Sequence, residues 1–271
     1  MKWVRAGGVR LPAIGLGTYG LAGEAGTETV ERALELGYRH VDTAEHYGNE
    51  AAIGAALAAA DVPREAVFVS TKVWRTNLGR ADLLSAARAS AERLGVECID
   101  LLSIHAPNRS IPIDETVGAM NELQAAGLVA HVGVSNCSVS QLRAARRASE
   151  TPIVANQVQY NPLTDRDALL TECVDADVIL TAASPLAKGR LADDPVLAAV
   201  GDRYGKTPAQ VALRWLVQQP QVVAIPKASS PAHLRENLDV FDFALSDAEM
   251  KRIAERRPGD VDPTGHAVGQ R

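Results

Sequence analysis

The chain has 271 residues, 46% hydrophobic and 23% charged, a balance that excludes a disordered polymer and leaves ample apolar material for a large core. With 28 basic against 33 acidic side chains the net charge is -5, and no long basic cluster is present, so nucleic acid is not an expected partner. No apolar run reaches membrane-spanning length, no secretion signal is evident, and the three cysteines form no CxxC pair; we expect a cytoplasmic protein without membrane contact, disulfides or a zinc site.

Residues 2–11 carry Gly7 and Gly8 between short apolar stretches, which predicts a hairpin closing one end of the assembly. Strand-like runs follow at 13–16, 39–41, 67–71, 99–104, 129–134, 154–158, 178–182 and 222–225. Between them, apolar residues three and four apart predict helices over 27–36, 50–59, 80–94, 114–125, 139–148, 165–175 and 209–218. Gly37, Gly95 and Gly127 stand where helix ends call for a left-handed residue. Eight strands alternating with helical stretches, with no composition break or long linker, predict one domain over 1–271. Its expected fold is a (β/α)8 TIM barrel of the α/β class with an N-terminal β-hairpin.

In such a barrel, chemistry gathers at the carboxyl ends of the strands. Asp42 follows the second strand, Lys72 the third, His105 the fourth, Ser135 and Asn136 the fifth, Gln157 the sixth, Ser184 the seventh and Lys227 the eighth. Singly, each has a structural explanation, such as a helix cap, a salt bridge or a satisfied core imidazole. Together on one rim they suggest a site. A free phenol has a pKa of about 10 and donates protons poorly near neutrality. An ammonium at Lys72 would favour the Tyr47 phenolate, Asp42 would hold that lysine charged, and His105 could direct a substrate carbonyl.

Gly15, Gly17 and Gly20 also spell G-x-G-x-x-G ahead of a helix, with Asp42 further on, the fingerprint of a dinucleotide-binding Rossmann unit. That reading would spend Asp42 on a ribose and leave Tyr47, Lys72 and His105 without a role. The barrel reading uses them all.

These residues lie in VDTAEHYGNE from Val41, STKVW from Ser70 and LLSIHAPN from Leu101. Further segments are IGLGTYG from Ile14, GVSN from Gly133, NQVQYNP from Asn156, SPLAKG from Ser184 and IPKASSPAHLRENL from Ile225. In this order the chain resembles the aldo-keto reductase family, of the short prokaryotic type similar to 2,5-diketo-D-gluconate reductases. The resemblance implies reversible NAD(P)H-dependent reduction of aldehydes and ketones without a metal. Tyr47 would be the general acid, Lys72 and Asp42 its tuning pair, and His105 the group that orients the carbonyl.

The same resemblance implies cofactor contacts. Gly17 and Thr18 would lie near the nicotinamide ribose, with Asp42 also on the cofactor side. Ser135, Asn136 and Gln157 would hold the carboxamide, and Ser184 and Leu186 would lie over the pyrophosphate. Lys227, Ser229, His233, Glu236 and Asn237 would serve the adenosine end. Tyr19, Trp74 and Ala106 would border the substrate pocket.

Departures from the family pattern bear on specificity. Ala228 and His233 stand where many relatives have a serine and an arginine that grip a 2'-phosphate, so the preference for NADPH over NADH should weaken, since histidine lacks arginine's planar fork. Ala183 replaces a tyrosine that stacks on the nicotinamide, Ala106 a tryptophan and Cys137 a phenylalanine. With a short 106–114 segment and a short tail after Pro258, the pocket should be open and broad. A monomer is the default expectation. The competing reading is a cofactor-binding regulatory or sensor barrel without significant turnover, whose expected signs are a damaged tetrad or added partner-binding segments. A phosphate-binding isomerase barrel would leave Tyr47 and Lys72 idle.

Overall fold

The β-branched and leucine-rich runs assemble into one parallel sheet, and the amphipathic stretches between them pack on its outside. A computed structural model describes residues 2–255. The expected short tail after Pro258 lies outside the described residues. Strands β1 (Trp3–Ala6) and β2 (Val9–Pro12) form the antiparallel hairpin. Gly7 and Gly8, at φ 58° and 80°, make the two-residue turn that the strand twist favours. The Gly7 N–H donates to Asp177 Oδ2 at 2.9 Å, just ahead of a barrel strand, so the hairpin covers the amino-terminal end of the barrel.

The barrel strands are β3 (Leu16–Gly17), β4 (His40–Asp42), β5 (Phe68–Val73), β6 (Ile99–Ile104), β7 (Val129–Ser135), β8 (Ile153–Gln159), β9 (Ile179–Ala183) and β10 (Val222–Ala224). They lie side by side in chain order, every pair parallel. The edges meet where Ile14 bridges Ala224; the Gly15 N–H donates to the Ala224 carbonyl and the Ala224 N–H to the Ala13 carbonyl, both at 2.9 Å. The predicted (β/α)8 barrel is therefore present.

Around it run α1 (Gly23–Glu35), α2 (Glu50–Ala59), α3 (Arg80–Leu94), α4 (Ile113–Ala125), α5 (Val139–Ala148), α6 (Asp167–Asp175), α7 (Pro195–Gly201), α8 (Pro208–Gln218), α9 (Pro231–Leu238) and α10 (Asp247–Ala254). Helix α1 starts at Gly23, ahead of the expected residue 27, a turn the periodicity reading missed because 23–26 carry no apolar repeat. Gly26 is needed there, since a Cβ would lie 2.8 Å from the Leu21 carbonyl carbon. Helices α7, α9 and α10 escape the periodicity reading because each spans only about two turns. Their signal is the cap: Asp194 Oδ1 accepts from the Val196 and Leu197 N–H groups, Ser230 caps α9, and Ser246 forms a capping box with Glu249.

Nearly all the largest fully buried side chains are apolar or aromatic, such as Trp215, Tyr38 and Leu11. Lys72 is the charged exception among them. Burying an ammonium costs several kcal/mol unless it is paired, and this singles out the strand ends around it.

Closure of the barrel depends on Gly17. Its N–H donates to the Pro226 carbonyl at 3.1 Å, and a Cβ there would lie 2.6 Å from the Ile225 carbonyl oxygen. Gly17→Ala is expected to cost about 1–3 kcal/mol through overpacking against backbone. Urea unfolding measures this; an unchanged midpoint would contradict the close approach of β3 to the 225–227 segment.

Candidate active site

Asp42 is the last residue of β4, Lys72 the penultimate residue of β5, and His105 follows β6 directly. The polar groups predicted from strand ends are thus gathered on the carboxyl-terminal rim. Tyr47 comes from a short 3-10 turn, Glu45–Tyr47, between β4 and α2, which ends at Gly48 in the left-handed conformation.

That turn is anchored on three sides. The Glu45 carboxylate accepts from the Trp74 N–H and from Asn77 Nδ2, both at 2.7 Å. Asn49 Nδ2 donates to the carbonyls of Thr18 and Leu21, and its Oδ1 accepts from Thr43 Oγ1 at 2.8 Å. Buried Glu50 accepts from Thr71 at 2.6 Å and from Arg93 at 2.6 and 2.8 Å, tying α2 to β5 and α3. The sequence reading gave these three residues no role. Their signal was present: two carboxylates and an amide bracket Tyr47 in a segment otherwise rich in alanine and glycine.

The centre of the site is an ion pair. Lys72 Nζ donates to Asp42 Oδ1 at 2.7 Å and to the Thr43 carbonyl at 2.7 Å, and the side chains are 1% and 3% exposed. Asp42 Oδ2 accepts from Ser70 Oγ at 2.8 Å and from Gln157 Nε2 at 2.9 Å. Burial works to lower the Lys72 pKa, but Asp42 and Tyr47 together outweigh it and hold the ammonium charged.

Lys72 Nζ sits 5.3 Å from the Tyr47 ring centroid. Burial raises the Tyr47 pKa, Lys72 opposes that rise, and Asp42 adds to it. The sequence argument stressed only the acidifying effect of Lys72; desolvation is the larger influence here, and the phenol stays protonated at neutral pH. For a proton donor that is the required resting form, while Lys72 lowers the cost of phenolate formation. Burial, reinforced by Lys72, pushes His105 down to about 4, so its imidazole is neutral. The His105 N–H is fixed by the Val73 carbonyl at 2.9 Å, and Asn136 Nδ2 donates to its carbonyl at 2.8 Å.

Aromatic groups wall the site. Tyr19, 69% exposed, meets Tyr47 edge-on at 5.1 Å, and Trp74 meets His105 edge-on at 5.0 Å. His46, unassigned in the sequence reading, stacks flat on Trp74 at 3.8 Å and lies 6.2 Å from His105. Ala106 is half-buried beside His105. Cys137, buried and with its thiol pushed up to about 12 by burial, lines a side cavity of ≈ 280 Å³ with Leu78, Pro107, Ile111 and Ile113.

The remaining predicted residues fall into two groups. Ser135 Oγ donates to the Gln157 carbonyl at 2.8 Å, so Ser135, Asn136 and Gln157 are bonded to one another or to the tetrad. Thr18 is fully buried and gives both its hydroxyl and its N–H to the Asp42 carbonyl. Farther round the rim, Ser184 and Leu186 are half-buried, with Ala183 beside them. Lys227, Ser229 and His233 are exposed, Glu236 is half-buried, and Ala228 and Asn237 are buried.

Comparison with known proteins places the chain among oxidoreductases. Residues 13–257 match the aldo/keto reductase family, and the chain belongs to that family. It is 36% identical over 247 residues to the glyoxal reductase of Bacillus subtilis, covering 91% of this chain and 89% of that protein. A crystal structure provisionally named 2,5-diketo-D-gluconic acid reductase B superposes with a TM-score of 0.95 at 40% identity, covering 98% of this chain and 96% of the other. A Bombyx mori aldo-keto reductase in complex with NADP has a TM-score of 0.87 at 30% identity, covering 94% and 92%. The chain is thus an oxidoreductase, and among its described residues no helix is long and apolar enough to cross a membrane.

His40, fully buried beneath Asp42, is pushed down to about 4 by burial. The unfolded chain takes up a proton near pH 6.5 that the folded chain refuses until about 4. His40's contribution is therefore complete above pH 6.5 and lost as pH falls toward 4, about 2 kcal/mol between pH 7 and 5. Urea titrations should show the unsubstituted chain losing more stability over that interval than His40→Gln; equal losses would contradict a buried neutral imidazole.

Proposed function

We propose that the chain reduces aldehydes and ketones to alcohols using NADPH or NADH, with Tyr47 as proton donor. The observation that carries this reading is the buried Lys72–Asp42 pair facing Tyr47, with a neutral His105 across the same rim. No observation favours a sensor role, which would not need a charged lysine kept dry.

The rim has features that suit a dinucleotide. Asn136, Ser184, Ala187 and Lys188 are non-glycine residues in the left-handed region, at φ 57°, 46°, 49° and 56°. Such backbone costs of order 1–3 kcal/mol per residue and gathers at ligand clamps. When bound, the nicotinamide would supply a hydride to the carbonyl carbon. Ser135, Asn136 and Gln157 would hold its carboxamide, and Gly17, Thr18 and Asp42 would flank the ribose. Ser184 and Leu186 would present backbone to the pyrophosphate. Lys227, Ser229, His233, Glu236 and Asn237 would meet the adenosine end.

The chain's own residues do the rest. An imidazole N–H of His105 directs the carbonyl oxygen toward Tyr47. Tyr47 gives its hydroxyl proton to that oxygen as charge develops, and Lys72 stabilises the phenolate left behind. Trp74, His46 and Tyr19 keep water from one side of the carbonyl. With Ala106 small and a cavity at Cys137, carbonyls of varied size are admitted. Relatives named for glyoxal and a diketo acid make small dicarbonyls the natural first probes.

With glyoxal and NADPH, Tyr47→Phe should lower kcat/KM at least about 100-fold while leaving cofactor affinity intact. Turnover equal to that of the unsubstituted chain would sink the assignment. With exposed His233 and buried Ala228 at the adenosine end, the ratio of kcat/KM for NADPH over NADH should stay below about 100-fold, near 2.7 kcal/mol. A larger ratio would show that Lys227 or Arg235 grips the phosphate unaided.

A further inference from the structure

Beneath the tetrad lie two polar side chains that the proton transfer itself does not employ. His40 on β4 and Ser70 on β5 are 1% and 3% exposed. His40 Nε2 is 3.1 Å from Ser70 Oγ, and Ser70 Oγ is 2.8 Å from Asp42 Oδ2.

The direction of this chain follows from counting protons. A carboxylate only accepts, so the single hydroxyl hydrogen of Ser70 points to Asp42, and His40 Nε2 has to carry the hydrogen it gives to Ser70. His40 Nδ1 then bears a lone pair, and it has no partner. It is pressed against Gly15, where a Cβ would lie 2.4 Å from it, so the absence of a side chain at Gly15 makes room for the ring. Asp42, Lys72 and Asp100 are the charges acting on this imidazole, and Asp100 is itself paired with Arg64 at 2.6 Å.

Asp42 is both a help and a hindrance. It holds Lys72 charged, yet its own negative charge opposes phenolate formation at Tyr47. Donors on Oδ2 draw charge away from Oδ1 and fix the carboxylate plane. We propose that His40 and Ser70 are positioning residues for the reduction: through Oδ2 they orient and partly neutralise Asp42, leaving the Lys72 charge directed at the Tyr47 hydroxyl. This rests on the reading of Tyr47 as the proton donor. Gln157 shares Oδ2, so Ser70 supplies one of the two donors there. The groups facing Tyr47 are Lys72, Asp42, Tyr19 and His105, and none of them replaces the lost donor on its own element.

Steady-state reduction of glyoxal in H2O and D2O tests the proposal on the full chain. Ser70→Ala should lower kcat about tenfold with KM changed less than about twofold, and its solvent isotope effect should rise as proton transfer becomes slower. His40→Leu should move both quantities the same way. His40→Gln, whose amide can donate from a similar position, should stay within about threefold of the unsubstituted chain. An unchanged kcat in Ser70→Ala, or a fall without a larger isotope effect, overturns the proposal. Tyr47→Phe measured in parallel separates the two readings: if it turns over normally, both fall, and if it is inactive while Ser70→Ala is normal, only the positioning role falls.

Discussion

A lysine ammonium held out of water by one carboxylate is the constraint on which this structure turns. Desolvating both charges costs several kcal/mol for each, and the attraction between them offsets that only with good geometry and saturated hydrogen bonding. Both conditions hold. Lys72 meets Asp42 and the Thr43 carbonyl, while Asp42 meets Lys72, Ser70 and Gln157.

Strand geometry makes this possible. Side chains alternate faces along a strand, so His40 and Asp42 share one face of β4, and Ser70 and Lys72 share one face of β5. Asp42 is paired in register with Ser70. Four polar side chains are thereby gathered inside a closed barrel, with Asp42 level with Ser70, His40 below them and Lys72 above. Thr71, between Ser70 and Lys72, reaches the other way to Glu50 on α2. The same strand thus positions the lysine and anchors the helix that follows Tyr47. Tyr47 itself is on a turn rather than a strand, and Glu45, Asn49 and Glu50 give that turn the fixity the barrel gives Lys72.

Much of this was legible in the sequence because barrel logic is periodic. Runs ending at Asp42, Lys72, His105 and Ser135 identified both the strands and the rim, and the family motifs around them fixed the fold. The short helices α7, α9 and α10 were not read, since two turns are too few to display an apolar period. Glu45, His46, Asn49 and Glu50 were missed for a different reason: polar side chains around Tyr47 mark the segment, but their partners, such as Asn77, Trp74, Thr18 and Arg93, lie 28 to 43 residues away, and the local sequence does not say which groups they meet. The balance at Tyr47 was also hidden. Composition and spacing show that Lys72 is near, but only burial in three dimensions shows that desolvation outweighs it.

If the Asp42–Lys72 pair is the unit around which the site is built, the two side chains should fail together rather than separately. A double-mutant cycle on unfolding free energy with Asp42→Asn, Lys72→Met and the double variant tests this directly. Each single substitution should cost about 3–5 kcal/mol by stranding a buried charge, and the double variant should fall short of the sum by at least about 2 kcal/mol. Additive losses would show two independent residues and contradict the account.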